Sequence, residues 1–373
     1  METQKYFRPT KVIIDLNAIK NNIINMKKLL NRNTQIIAVV KANAYGHGDI
    51  EVAKAALEAG ASILAVATPE EALRIRDHFT EVEILLLGAS PISFAQYAAE
   101  QRISVTVFSA EWIRQLETLT KSWATPLKVH IKVDSGMGRI GVRSEEELLA
   151  LHDAIQETGN VQLDGVFTHF ATADDEDNEY FEKQVKLFKE IVAKLPEKPR
   201  LVHASNTATA LVKKAELQFD AIRFGISMYG LSPSTYVESI LPFELSPAFA
   251  LETELVHIKR IKAGESIGYG ATFVAPADMW VGTIPLGYAD GVIRKLGGQD
   301  VLIDGKRTPI IGRICMDQCM LALPKAYAIG ERVTLLGRQG QEEVRIEEWA
   351  SKVETISYEV PCIITARVPR IYM

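Results

Sequence analysis

Apolar residues recur along the first two thirds of the chain in two alternating rhythms. Short continuous apolar runs read as strands buried on both faces: 36–40 (IIAVV), 62–67, 83–88, 103–108, 128–133, 163–169, 200–205 and 221–225. Between them apolar positions fall at helical spacing, as in LNAIKNNIINMKKLLNR after Asp15 and in EYFEKQVKLFKEIVAKL. Helix ends are marked in the expected way. PEEALRIRDHF opens with proline and two glutamates, and SEEELLALHDAIQETG carries a serine cap with glutamate three residues on. Eight strands alternating with helices over about 225 residues predict a (β/α)8 barrel across 11–240; a doubly wound open sheet is the alternative. Helical periodicity fades near residue 245. The rest, 245–373, consists of β-prone runs broken by Gly and Asp-Gly turns, with helix expected only near RIEEWASKV. That predicts a mostly β C-terminal domain, with 232–247 as a proline-containing linker. Residues 1–10 precede the barrel pattern and could pair with the β domain.

Bulk properties narrow the function classes. The 373 residues are 47% hydrophobic, enough for two cored domains, and the net charge of −5 with no basic block argues against nucleic acid. No apolar run approaches a membrane span, and the N-terminus lacks a signal-peptide core. Three cysteines, Cys315, Cys319 and Cys362, are too few and too unevenly placed for a disulfide framework. They read as structural thiols in a reducing, cytoplasmic setting, and no metal-ligand spacing is present.

Chemistry-bearing residues gather at expected strand ends, where barrels assemble their sites. Lys41 ends the run IIAVV-K, ahead of the turn ANAYGHG. A lysine there is ordinarily a snorkelling surface charge, but a desolvated one can attack a carbonyl. HASNTATALV places Ser205, Asn206 and Thr207 at a helix start after the seventh strand, and RFGISMYG follows the eighth with two glycines. In barrels these last two loops commonly hold phosphate. Together with Lys41 they suggest a phosphorylated carbonyl ligand. No nucleotide-binding glycine pattern competes.

Taken in order, VVKANAYGHG, KVDSGMGRIGV, THFATAD, HASNTA, IRFGISMYG, IGYGATF, GYADG and GRICMDQ resemble the alanine racemase family across about residues 10–370. The resemblance implies a pyridoxal 5'-phosphate enzyme with a barrel and a β domain. It further implies interconversion of L- and D-alanine by two bases on opposite faces, with D-alanine supplied to peptidoglycan. By this resemblance Lys41 would carry the cofactor as an internal aldimine and serve one face, and Tyr269 of a partner copy would serve the other. Tyr45, Ser205, Gly225, Ile226 and Tyr358 would bind the phosphate. Arg223 would face the pyridine nitrogen with His169 behind it. Arg139 would reach the cofactor's phenolic oxygen and the substrate, and Met316 would offer its backbone N–H to the substrate carboxylate. Lys132 matches a position that is often carbamylated. Tyr288, Ile356, Arg294 and Arg313 would line or charge the access channel. The implied partner is a second copy, giving a homodimer with shared sites and a small amino-acid substrate. The rivals are a broad amino-acid racemase, a basic amino-acid decarboxylase and a non-catalytic pyridoxal-phosphate carrier.

Overall fold

A computed structural model describes residues 6–373. The described residues divide into two compact units, one of residues 17–44 and 49–247, the other of 6–16, 45–48 and 248–373. The first is a ring of eight parallel strands, in order Gln35–Val39, Ile63–Val66, Glu83–Leu86, Ile103–Val107, Leu127–Lys132, Val161–Phe167, Leu201–His203 and Ala221–Phe224. The last strand pairs with the first (Gln35 opposite Ala221). Backbone bonds from Asp220 N to Val202 O (3.0 Å) and Arg223 N to Ser205 O (2.9 Å) join the seventh and eighth strands. The predicted barrel is therefore the observed architecture, and the open sheet is excluded.

The strands are buried on both faces, as the continuous apolar runs require: every residue of Ile63–Val66, Ile103–Val107 and Ala221–Phe224 is buried. Helices cover the outside. Pro69–His78 begins with Thr68 as cap and Glu71 in a reciprocal capping box. Inward positions of the fifth to eighth strands carry polar side chains, and these meet inside the ring. Gly165 stands opposite His130 in register. A Cβ there would come within 2.4 Å of the His130 ring nitrogen, so only glycine leaves room for the imidazole.

The second unit is a mostly antiparallel sheet in the order His257–Ile261, Met279–Ile284, Cys319–Leu323, Lys306–Ile311, Asp300–Ile303, Arg332–Gln339, Phe249–Glu254, Lys11–Ile14, Arg370–Tyr372. Its helix Ile346–Val353 falls where RIEEWASKV predicts one. Three features depart from the sequence reading. Lys11–Ile14, expected to open the barrel, pairs instead with Phe249–Glu254 and Arg370–Tyr372. Its two buried residues, Val12 and Ile14, alternate with more exposed ones, the pattern of a half-covered sheet rather than of a barrel interior. Among the residues ahead of it, Thr10 bonds to Thr253 (2.8 Å), and Arg8 pairs with buried Asp290 (2.9 Å); residues 1–5 lie outside the described part. Glu359–Ile363, read as β-prone, is a short helix. Pro361 sits in its first turn, where a missing N–H costs nothing. Residues 232–247 are not a bare linker, since they contain the helix Thr235–Ser239.

Candidate functional site

The first strand ends in an unusual turn. Lys41 follows Val40 directly, and Ala42, Asn43, Ala44 and Tyr45 all lie in the left-handed region, with φ between 51 and 53. None is glycine. Each L-residue there costs roughly 1–2 kcal/mol against the right-handed form. Four in a row is strain that the surroundings must hold, as occurs at functional sites. Ala44 N closes the turn onto Val40 O (2.8 Å), and the turn presents Lys41 half-buried at the strand end.

Inside the barrel, Arg223 on the eighth strand is 4% exposed and is held by five acceptors. Its Nη1 donates to His203 Nδ1 (2.9 Å) and His203 O (3.1 Å). Its Nη2 donates to Thr168 O (2.7 Å), Ala204 O (3.0 Å) and His169 Nδ1 (3.2 Å). Burial pushes this guanidinium down to about 9, with Arg139 adding repulsion, which still leaves it protonated at neutral pH.

A guanidinium only donates, and this orients everything behind it. His203 must accept at Nδ1. Burial, with the Arg223 charge, drives its pKa well down, so the ring is neutral and carries its proton on Nε2. That proton goes to His130 Nδ1 (3.0 Å), leaving His130 Nε2 facing Asp164 Oδ2 (3.4 Å). Arg200 caps Asp164 with two bonds (2.9 and 2.6 Å). A polar line thus runs from Asp164 to Arg223 with one direction of donation. The His203 ring lies flat on Phe167 (4.7 Å, 7°). His169 is likewise neutral: burial, then Arg223, Lys132, Arg139 and Lys41, lower its pKa well below the ordinary value. Lys41 and Arg139 thus lie within electrostatic reach of His169.

Lys132 is 2% exposed and rests against Phe167 (4.9 Å to the ring centroid). Burial, then Arg223 and Arg139, push its pKa well below the ordinary lysine value. Arg139 is exposed and has no ion-pair or hydrogen-bond partner among the described residues.

Ser205 does not take the place the sequence suggests. It is fully buried, and its hydroxyl donates to Leu217 O at 2.5 Å. The hydroxyl at the barrel rim is Thr207, whose Oγ1 accepts from Gly225 N at 2.9 Å. Asn206 is the helix cap, with Oδ1 on Thr209 N (3.0 Å), so Thr207 is the first helical residue. Gly225 caps the short helical turn Ile226–Tyr229, and the first N–H groups of a helical turn have no partner within the turn. A strand-end lysine and helical starts after the last two strands are compatible with a phosphorylated carbonyl ligand.

In the sheet unit, Tyr45 and Tyr358 face each other with ring centroids 6.2 Å apart, and burial raises the Tyr45 pKa. Tyr269 opens the turn Tyr269–Ala271 and is 71% exposed; Met316 is 53% exposed. The loops of Tyr288 and Met316 are tied together by Tyr288 N to Cys315 O (3.0 Å) and Ala289 N to Met316 O (3.1 Å). Arg367 bonds Asp317 (2.7 Å) beside them. Arg294, Arg313 and Ile356 are exposed. Cys319 is buried and donates to Leu286 O, in keeping with a structural thiol. Among the described residues no helix is long and apolar enough to cross a membrane.

This arrangement defines a (β/α)8-barrel protein with a lysine at the end of one strand and a buried arginine held by neutral acceptors. Comparison with known proteins narrows it. Family models described as alanine racemase, N-terminal domain, and alanine racemase, C-terminal domain, match residues 14–233 and 248–372. The chain belongs to the alanine racemase family. It is 48% identical to the alanine racemase of Geobacillus stearothermophilus over 98% of this chain and 94% of that one. It is also 48% identical to alanine racemase 1 of Bacillus subtilis, over 100% and 95%. Among solved structures, the alanine racemase from Bacillus anthracis with bound L-Ala-P has a TM-score of 0.96 at 43% identity, covering 99% of this chain and 96% of that one. A histidine racemase from Leuconostoc mesenteroides also aligns, with a TM-score of 0.93 at 31% identity over 99% of each chain. The family is one of pyridoxal-phosphate-dependent amino-acid racemases, and this chain is such an enzyme.

Proposed function

We propose that the chain interconverts L- and D-alanine, with pyridoxal 5'-phosphate held by Lys41. The bound cofactor supplies an electron sink that makes the amino acid's α-hydrogen acidic. The chain's residues then bind, orient and move protons. Arg223 is the observation that carries the reading. An acidic residue facing the ring nitrogen would keep that nitrogen protonated and favour decarboxylation or transamination. A guanidinium anchored by five neutral acceptors keeps its own proton and limits the sink to what racemisation needs.

In this reading Lys41 takes the α-proton of the D-enantiomer. Tyr269 of the partner subunit takes that of the L-enantiomer. The high exposure of Tyr269 within one chain supports a second copy covering it, in a homodimer with shared sites. Thr207, in place of the Ser205 hydroxyl, joins Gly225, Ile226, Tyr45 and Tyr358 at the phosphate. Met316 N–H and Arg139 hold the substrate carboxylate, and burial biases the Lys132 amine toward the neutral form that takes up carbon dioxide, which would give Arg139 an anionic partner. Tyr288 and Ile356 narrow access to small substrates, and a cytoplasmic supply of D-alanine for peptidoglycan completes the reading.

The test is L-alanine in D2O with the holoenzyme. The α-hydrogen should wash out while D-alanine accumulates. Retained hydrogen and configuration would overturn the proposal, and faster turnover of histidine than of alanine would reassign the substrate.

A further inference from the structure

The strained turn after Lys41 is gripped from the neighbouring helix. Glu71, in Pro69–His78, does more than close its capping box. One carboxylate oxygen accepts Thr68 N (3.2 Å) and Ala67 N (2.8 Å) in the loop after the second strand. The other reaches the loop after the first strand and accepts Ala42 N at 2.7 Å. Ala42 is the residue after Lys41 and the first of the left-handed residues. Three positions along the same helix, Arg74 binds Asp49 Oδ1 (3.0 Å), and Asp49 N donates to Asn43 Oδ1 (3.1 Å). Residues three apart share a helix face. One face therefore holds the turn at two points: directly at Ala42 by the charge-assisted Glu71 bond, and indirectly at Asn43 through Arg74 and Asp49.

We propose that Glu71 is the positioning residue for Lys41: its carboxylate staples two successive barrel loops and so fixes the backbone that aims the lysine amine at the substrate. This rests on the reading of Lys41 as the base for the D-enantiomer. A carboxylate is required because all its partners are N–H donors. In Glu71→Gln one end becomes an NH2 and opposes either Ala42 N–H or the Ala67 and Thr68 pair. Glu71→Asp keeps the charge but is one methylene short of spanning both loops.

The experiment measures three things on Glu71→Gln, Glu71→Asp and, in case these fold poorly, Arg74→Met. The first is hydrogen exchange of residues 41–46 in the cofactor-free protein. It should rise in all three variants while helix Ile346–Val353 stays unchanged. The second is kcat, expected to fall on the order of ten- to a hundredfold in Glu71→Gln, as misplacement of a reacting group does. The third is the deuterium isotope effect from each α-deuterated enantiomer. Slowing the Lys41 step should raise the effect from D-alanine and lower that from L-alanine. Isotope effects that move together or not at all, or unchanged exchange in 41–46, would overturn the proposal. Full activity in a Lys41→Ala control would instead sink the reading of Lys41, so the two failures are distinguishable.

Discussion

Replacing His203 tests the direction of the buried polar line. His203 accepts from the Arg223 guanidinium at 2.9 Å and donates to His130 at 3.0 Å. A hydrogen bond to a charged group contributes about 1.5–3 kcal/mol and a neutral one about 1 kcal/mol. His203→Leu removes both and should cost about 3 kcal/mol. His203→Asn keeps an oxygen close to where Nδ1 stands, retains the charged bond, and should cost about 1 kcal/mol. Packing acts the other way, since leucine fills more of the space against Phe167 than asparagine does. The gap of about 2 kcal/mol therefore measures polarity rather than volume. At roughly 2–4 °C per kcal/mol for a unit of this size, the leucine variant should melt about 4–8 °C below the asparagine variant. Thermal unfolding of both variants, with and without pyridoxal phosphate, reads this directly. Equal midpoints, or a less stable asparagine variant, would refute donation from Arg223 into a neutral His203.

Two further outcomes follow from the structure. Burial alone would raise the Asp164 pKa, but hydrogen bonds from His130 and Arg200 outweigh it and hold the carboxyl well below the usual range. A depressed carboxylate stabilises the fold above its unfolded value of about 3.9 and loses that contribution as pH falls through the folded value. The urea-midpoint difference between wild type and Asp164→Asn should thus be steady above about pH 5 and shrink in more acidic buffer; a difference unchanged at the lowest pH would contradict this. Gly46 has φ +81, and an added Cβ would lie 2.2 Å from Pro361 O. Gly46→Ala should cost about 2–4 kcal/mol, from strain and overlap together, and weaken pyridoxal-phosphate uptake beside Tyr45; equilibrium unfolding and cofactor titration check both.

Strand and helix positions in the barrel were legible because each buried strand is a short continuous apolar run and each helix has its own start signal. Eight such runs recur at nearly the same residues in the structure. The candidate lysine was legible too, since a charge at the end of an apolar run stands out. What the linear pattern could not carry is anything set by contacts between distant segments. The sheet position of Lys11–Ile14 depends on pairing with residues more than two hundred positions away. The choice of Thr207 over Ser205 at the rim depends on which hydroxyl Leu217 and Gly225 engage. The left-handed turn at 42–45 contains no glycine to announce it, and bonds between Ala42 and Glu71, Asn43 and Asp49, and Ala44 and Val40 hold it. The protonation pattern of His203 is decided by Arg223, which shares a ring with it but not a stretch of chain. Local apolar period wrote the elements; tautomers, strained turns and hydroxyl partners were set by the folded structure, because their energies exist only once remote groups have been brought out of water and into contact.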